Sequence, residues 1–446
     1  MTAETTTASA PSYPPARAAW ATVALLTLAY VFSFVDRYIL GLLIEPIKAD
    51  LGLSDEQIGY LLGVAFAVFY ATMGLPLGWL ADRWRRTWIV GIGIAVWSAA
   101  TVVSGFAKNF WHLFFARMAV GAGEATLSPC AMSIIADSFP KEKRGAPIGF
   151  YSMALSLGAG VASLIGAAVL AWASTTSSFT VPGFGEMRPW QLAFIIVGAP
   201  GLLVAIPFFM IKEPMRQQVT ATAEDLKGSG LHDMLGYVLK RWGTFAGFVS
   251  IVCVMTIVAY SQSWFAATWS RTWGWPAQQY ALWNGILTLA LGPISVNAAG
   301  WLSDKWTQSG RRDAPFMIMA IGAVFMVPTA ALITLMPGPI WAFVMSGINT
   351  VTIAFVSAVG VTALLNIIPG KIRAQTIALY YMAISFSGLF LGPTTVGWLS
   401  TNVFGEDGLR YAVAVTPLIF GIIPLLFIPI TRKLYLRQMD QLEDVG

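Results

Sequence analysis

Apolar residues run along this chain in long blocks, and polar positions collect between the blocks rather than alternating within them. Twelve blocks reach the roughly 20 residues that a helix needs to cross a bilayer. They predict helices 1 to 12 at 18–45, 56–80, 87–107, 110–137, 145–172, 190–211, 243–269, 277–302, 314–336, 339–367, 374–401 and 410–431. Most connections are short. The exception runs from Lys212 to Trp242, is polar and charged, and has Lys-Gly-Ser-Gly at its middle. The expected organisation is a disordered cytoplasmic tail over 1–17, a six-helix bundle over 18–211 and a cytoplasmic linker over 212–242. A second bundle over 243–431 and a cytoplasmic tail over 432–446 complete it. The first block is too long for a cleavable signal and follows a polar, proline-containing stretch, so it reads as helix 1.

Composition agrees with lipid as the main solvent. The chain is 57% hydrophobic and 11% charged, against about 25% charged in soluble domains. A net charge of +5 would suit a nucleic-acid binder, but the basic residues occupy short loops instead of one stripe or arm. With the N-terminus inside, 20 of the 27 Lys and Arg residues lie on the inner side. The outer loops hold Lys48, Lys108, Arg188, Arg271 and Arg410, while Arg37 and Arg117 fall inside spans. That bias predicts cytoplasmic termini for an integral, multi-pass protein, and the lack of any Asn-x-Ser/Thr sequon agrees with a bacterial plasma membrane. Cys130 and Cys253 lie in apolar blocks, which predicts neither a disulfide nor a metal site. His112 and His232 sit at or beyond membrane edges, and neither a His-Glu-x-x-His motif nor a phosphate-binding Gly-x4-Gly-Lys-Ser/Thr loop occurs. No cofactor, no enzymatic activity and no ATP-driven pump are expected.

The two halves repeat one another. Gly78-Trp-Leu-Ala-Asp82 returns as Gly300-Trp-Leu-Ser-Asp304, each followed by a base, Arg83 or Lys305. PKEKRGAPIGFYSMALS, from Pro140, returns as PGKIRAQTIALYYMAIS, from Pro369, with Pro, Arg, Ile, Tyr, Met, Ala and Ser in register. A duplicated six-helix unit explains both. The repeated charges predict a breakable cytoplasmic gate formed by Asp82, Arg83, Arg86, Arg144, Asp304, Lys305 and Arg373. Gly59/Gly63, Gly74/Gly78 and Gly388/Gly392 have the spacing of close helix packing. Ser54-Asp-Glu-Gln57 reads as a capping box opening helix 2.

Twelve spans, the 6+6 duplication and the 2–3 loop GWLADRWRR resemble the major facilitator superfamily. Its loop pattern, Gly-x-Leu-Ala-Asp-Arg-x-Gly-Arg-Arg, is matched at Gly78, Leu80, Ala81, Asp82, Arg83 and Arg86 and departs at Arg85. The resemblance covers essentially the whole chain. It implies an all-α fold of two pseudo-symmetric bundles with a midplane site, working by alternating access.

Four ionisable residues lie deep in apolar spans, Asp36 and Arg37 in helix 1 and Arg117 and Glu124 in helix 4. Each would cost about 2.5–3.5 kcal/mol facing lipid at mid-bilayer, so they must face a polar chamber or one another. At 1.5 Å per residue, Asp36 lies roughly 12 Å and Arg117 roughly 10 Å below the outer ends of their helices. Glu124 lies about 21 Å down, two turns below Arg117 on the same face. This ladder predicts an Asp36–Arg117 or Asp36–Arg37 pair with Glu124 alone beneath it. Protonating either acid would release a guanidinium to hold a phosphate or carboxylate. The expected roles are proton coupling for Asp36 and Glu124 and substrate binding for Arg37 and Arg117. The second half, without deep charges, offers Asn284 and Tyr380 to the substrate, among Gln262, Asn297, Asn366, Tyr381 and several tryptophans.

Helix 4, RMAVGAGEATLSPC, helix 1, FSFVDRYIL, and the segment DSFPKEKRG resemble the spinster-like branch of that superfamily. Its bacterial members are relatives of animal carriers of sphingosine-1-phosphate and lysophospholipids. The resemblance places Asp36, Arg37, Arg117 and Glu124 at that branch's substrate-anion and proton site. Expected partners are protons, an amphiphilic or anionic small molecule and membrane lipid, without nucleic acid, the protein acting as a monomer. A small organic-anion symporter and a non-transporting receptor stay open as alternatives.

Overall fold

The computed structural model describes residues 13–140, 143–175, 179–181, 185–216, 231–369 and 372–443. Residues 1–12 of the expected tail, residues 217–230 of the expected linker and the Asp82 side chain lie outside the described set.

Twelve helices are long and apolar enough to cross a bilayer. They run Ala16–Leu42, Asp55–Gly74, Arg86–Ser104, Phe110–Ser138, Gly145–Ala173, Pro189–Met210, Trp242–Trp273, Ala277–Gln308, Ala314–Ile333, Pro339–Leu365, Gln375–Phe404 and Glu406–Leu426. Every predicted span is present, with ends moved by a few residues. Helix 2 continues as a helix to Arg83. The ends follow local chemistry. Ser54 and Gln57 form the expected capping box, Asn109 Oδ1 accepts from the His112 amide to open helix 4, and Gly274, at φ 69°, closes helix 7.

Several helices are interrupted or change pitch along their length. Helix 2 turns at Gly63. Helix 4 tightens between Glu124 and Leu127. Helix 7 narrows to a 3-10 turn at Gln262–Trp264, and helix 11 widens into a π turn at Ser400–Phe404. A pair of three-residue strands, Phe179–Val181 and Gly185–Met187, joins helices 5 and 6.

Helices 1–6 and 7–12 form two halves that meet along helix 2 against helix 11 and helix 5 against helix 8. An even number of crossings returns the chain to its starting face, so both termini share one end of the molecule. Among the described residues, the close contacts between the halves gather toward the other end. There Gly59 and Gly63 lie against Pro393, Thr394 and Gly397, and Gly160 lies against Gly285 and Leu289. One buried apolar cluster runs from the first half into Trp264, Trp269, Tyr280, Leu389 and Leu409 of the second. A separate cluster belongs to the second half alone. At the termini end, Gly74, Gly78, Gly145, Gly149 and Gly300 each face open space. Among the described residues, the halves are parted at the termini end and closed at the far end.

Candidate functional site

Helix 4 carries the centre of the site because two glycines let it pack tightly. A Cβ on Gly121 would stand 2.4 Å from the Phe66 carbonyl of helix 2, and one on Gly123 2.8 Å from the Gly93 carbonyl of helix 3. That approach sets Glu124 at the last turn before the break and holds the Phe66 ring under two guanidinium groups. Arg37 stacks 4.8 Å and Arg117 5.4 Å from its centroid. Tyr70 and Phe34 flank Arg37 at 5.0 and 5.6 Å.

All four predicted charges meet here, but their pairing differs from expectation. Glu124 does not stand alone. Arg37 donates to its Oε2 from Nε at 2.6 Å and from Nη2 at 2.5 Å. Arg117 Nη1 donates at 3.1 Å to the main-chain carbonyl of Asp36, not to its carboxylate. The Asp36 side chain lies against Thr101 and Trp97 of helix 3 and within electrostatic reach of Glu124 and Arg117. The reason is angular. Consecutive residues on a helix point about 100° apart, so Arg37 swings to Glu124 while Asp36 turns toward helix 3.

The cluster is polar and incompletely satisfied. Asp36 Oδ1, Glu124 Oε1, Arg117 Nε and Trp97 Nε1 are buried without a hydrogen-bond partner among the described residues. Such atoms are costly unless something else engages them, which suits a proton, water or the charged end of a ligand. Arg37 is 11% exposed, whereas Glu124 is 1% exposed. Arg37 is the accessible edge of the site.

The second half contributes Tyr260 of helix 7, which lies within electrostatic reach of the Arg37 guanidinium. Tyr30 and Tyr151 stack at 5.1 Å in the first half, with Tyr151 3.4 Å from Ser128. Tyr380, expected at the substrate, is instead buried in the core of the second half against Phe248 and Tyr381. Its repeat counterpart, Tyr151, is the tyrosine that neighbours the site. Asn284 is also elsewhere, donating to Ser163 Oγ at 3.0 Å where helix 8 meets helix 5.

Among the described residues, the expected gate side chains do not join the halves in this state. Arg83 and Lys305 each lie over a tryptophan four residues earlier, Trp79 at 4.1 Å and Trp301 at 4.9 Å. Asp304 and Arg373 are exposed, and Arg144 Nε caps helix 4 through the Phe139 carbonyl at 2.8 Å. Arg86 is not a gate residue here. It is buried within its own half, bound to Asp137, to Ser133 Oγ at 2.7 Å and to Glu213 at 2.7 Å. Burial alone would raise the Glu213 carboxyl, but hydrogen bonds from Arg86 and the Thr87 amide outweigh it and hold it below the usual carboxylate range.

A charged network that sequence reading missed closes the far end. Asp55, fully buried, receives Arg271 Nη1 at 2.6 Å, Ser400 Oγ at 2.6 Å and Lys48. Arg271 also binds Glu45 at 2.8 Å, and Lys48 binds Glu406 at 2.7 Å. Asp55 and Lys48 come from the first half and Arg271, Ser400 and Glu406 from the second. The signal was present as four charges in short outer segments, Glu45, Lys48, Asp55 and Arg271, but sequence gives no distance between loops.

Two six-helix halves with a cluster of charges buried at mid-depth are the build of a membrane transporter, and the chain belongs to the Major Facilitator Superfamily, whose profile matches residues 26–268. Within it the chain is spinster-like. A solved bacterial homologue of the human lysosomal transporter Spinster, inward-facing and unoccupied, superposes with a TM-score of 0.78 at 26% identity, over 96% of this chain and 98% of that one. An MFS-type efflux pump of Mycolicibacterium smegmatis is 28% identical over 408 residues, 88% of this chain and 87% of its own. The D-galactonate transporter of Escherichia coli O6:H1 is 24% identical over 431 residues, 90% of this chain and 94% of its own.

Proposed function

We propose that this protein is a proton-coupled secondary transporter that moves an amphiphilic anion of the lysophospholipid or sphingoid-phosphate type by alternating access. The observation that carries the reading is the Arg37–Glu124 pair with its unsatisfied neighbours. Glu124 can take a proton on Oε1 or give up Arg37, and a protonated Glu124 no longer holds a guanidinium by charge. Arg37, released toward the open side with Arg117 close by, then presents donors that suit a phosphate or carboxylate. Proton binding and anion binding thereby share one pair of residues, which is the requirement for coupling.

The Lys and Arg bias places the termini end in the cytoplasm, so the present state faces inward. The remaining gate residues, Asp82, Arg83, Asp304, Lys305 and Arg373, would meet when that end closes. A smaller organic anion is the second reading, favoured by the full-length similarity to a D-galactonate carrier. The deciding experiment uses proteoliposomes with an imposed pH gradient and labelled lysophospholipid or galactonate. Glu124→Gln is expected to abolish gradient-driven accumulation while exchange without a gradient persists. Full accumulation by the variant would refute the role of Glu124, and the preferred substrate separates the two readings.

A further inference from the structure

Among the polar groups of the second half, Gln262 stands out by its position and by an unused acceptor. It begins the 3-10 turn of helix 7, about 16 Å below the far end of that helix at 1.5 Å per residue. The turn is pressed against helix 1, where a Cβ on Gly41 would stand 2.7 Å from the Ser263 carbonyl. Gly41 follows Arg37 by one helical turn, and Tyr260, two residues before Gln262, lies within electrostatic reach of the Arg37 guanidinium. Gln262 therefore belongs to the seam at which the second half faces the cationic cluster.

The direction of its amide is dictated by its neighbours. The Met326 main-chain carbonyl can only accept, so the Asn349 atom 3.0 Å from it is Nδ2. The same Nδ2 donates at 3.0 Å to Thr329 Oγ1, whose own hydrogen goes back to the carbonyls of helix 9. Asn349 Oδ1 is thereby turned toward helix 7, where at 3.1 Å it must receive Gln262 Nε2. Gln262 Oε1 is left pointing away from the network. It accepts no hydrogen bond among the described residues, and the side chain is only half-buried. The oxygen is not sealed in the core, so a donor on an entering molecule can meet it.

We infer that Gln262 Oε1 is a substrate contact, accepting a hydrogen bond from a hydroxyl or primary ammonium on the transported anion while Arg37 and Arg117 hold its negative group. The inference rests on the transport reading above and narrows it to anions that also carry an N–H or O–H donor. Asn349 is a positioning residue that keeps the acceptor aimed. A quaternary ammonium, with no hydrogen to give, leaves the same oxygen unpaired.

The test is a binding titration on the purified full-length protein, following thermal stabilisation. Two matched pairs serve as probes, lysophosphatidylethanolamine against lysophosphatidylcholine and D-galactonate against hexanoate. The donor-bearing member of at least one pair is expected to bind about tenfold more tightly, the size of one hydrogen bond. Gln262→Met is expected to erase that preference by weakening only the donor-bearing member. The wild-type comparison needs no variant, so it decides even where Gln262→Met unfolds. Equal affinities within both pairs, lost together in Arg117→Ala, would overturn this inference alone, as would a preference that survives Gln262→Met. A wild type that binds none of the four probes overturns the transport reading and this one with it.

Discussion

Arg37 spends two nitrogens on a single oxygen of Glu124 and leaves the other oxygen buried without a partner. This uneven arrangement makes the pair strong yet easy to redistribute. Removing the cation alone strands a carboxylate in a desolvated site, at a cost of about 3–5 kcal/mol. Arg37→Ala is therefore expected to lower the melting temperature sharply, and adding Glu124→Gln should recover more than half of the loss. A double variant no more stable than Arg37→Ala would show that stacking on Phe66 and Tyr70, not charge, holds this region together. The four charges were legible in the sequence because an ionised group in an apolar run has few places to hide. Their pairing was not, since residue counting yields depth along a helix axis but not the angle between neighbouring helices. Tyr380 shows the same limit. The repeat aligns it with Tyr151, yet only coordinates reveal which of the two copies borders the charged cluster.

Helix ends were harder to read than helix bodies. The basic run after helix 2 offers Arg83 and Arg86 to a gate, but Arg86 begins helix 3 and turns inward between Asp137 of helix 4 and Glu213 beyond helix 6. The second half repeats the clamp with its charges reversed, Arg432 after helix 12 donating at 2.6 Å to Asp313 before helix 9. Both halves tie the same helix ends with the sign exchanged at each position, which a search for matching residues misses. The clamp makes a pH prediction. Because Glu213 sits below its ordinary range when folded, its contribution is fully present above the usual carboxylate value of about 4.3. It fades as pH falls through the lower, folded value. Glu213→Gln should cost about 1–3 kcal/mol at pH 7, and the difference from wild type should shrink below about pH 4. A difference in melting temperature that stays constant from pH 7 to pH 3 would rule out a charged role for Glu213.

At the scale of the whole molecule, one helix holds both contact surfaces that a rocking motion needs. On helix 2, Gly63 lies so close to helix 11 that a Cβ would stand 2.3 Å from Thr394 Oγ1, while Gly78, four turns away, has nothing within 4 Å. The repeat makes Gly78 the surface that meets the second half when the termini end closes. Bulk at the two sites should then act in opposite directions. Gly63→Leu wedges the closed end apart and favours the outward state, and Gly78→Leu blocks closure and traps the present one. Asp55→Asn should act like Gly63→Leu, because it removes the charge that Arg271 and Lys48 share across the far end. Spin labels at Arg83→Cys and Lys305→Cys, with Cys130 and Cys253 replaced by serine, report the separation at the termini end. Gly63→Leu and Asp55→Asn are expected to enrich short distances, each 1.4 kcal/mol of bias shifting the populations about tenfold. Gly78→Leu should leave only the long distances and abolish transport without loss of ligand binding. If all three variants gave the wild-type distribution, the closed far end would be a fixed hinge rather than one of two alternating gates, and access to Glu124 would have to switch by movements of single helices.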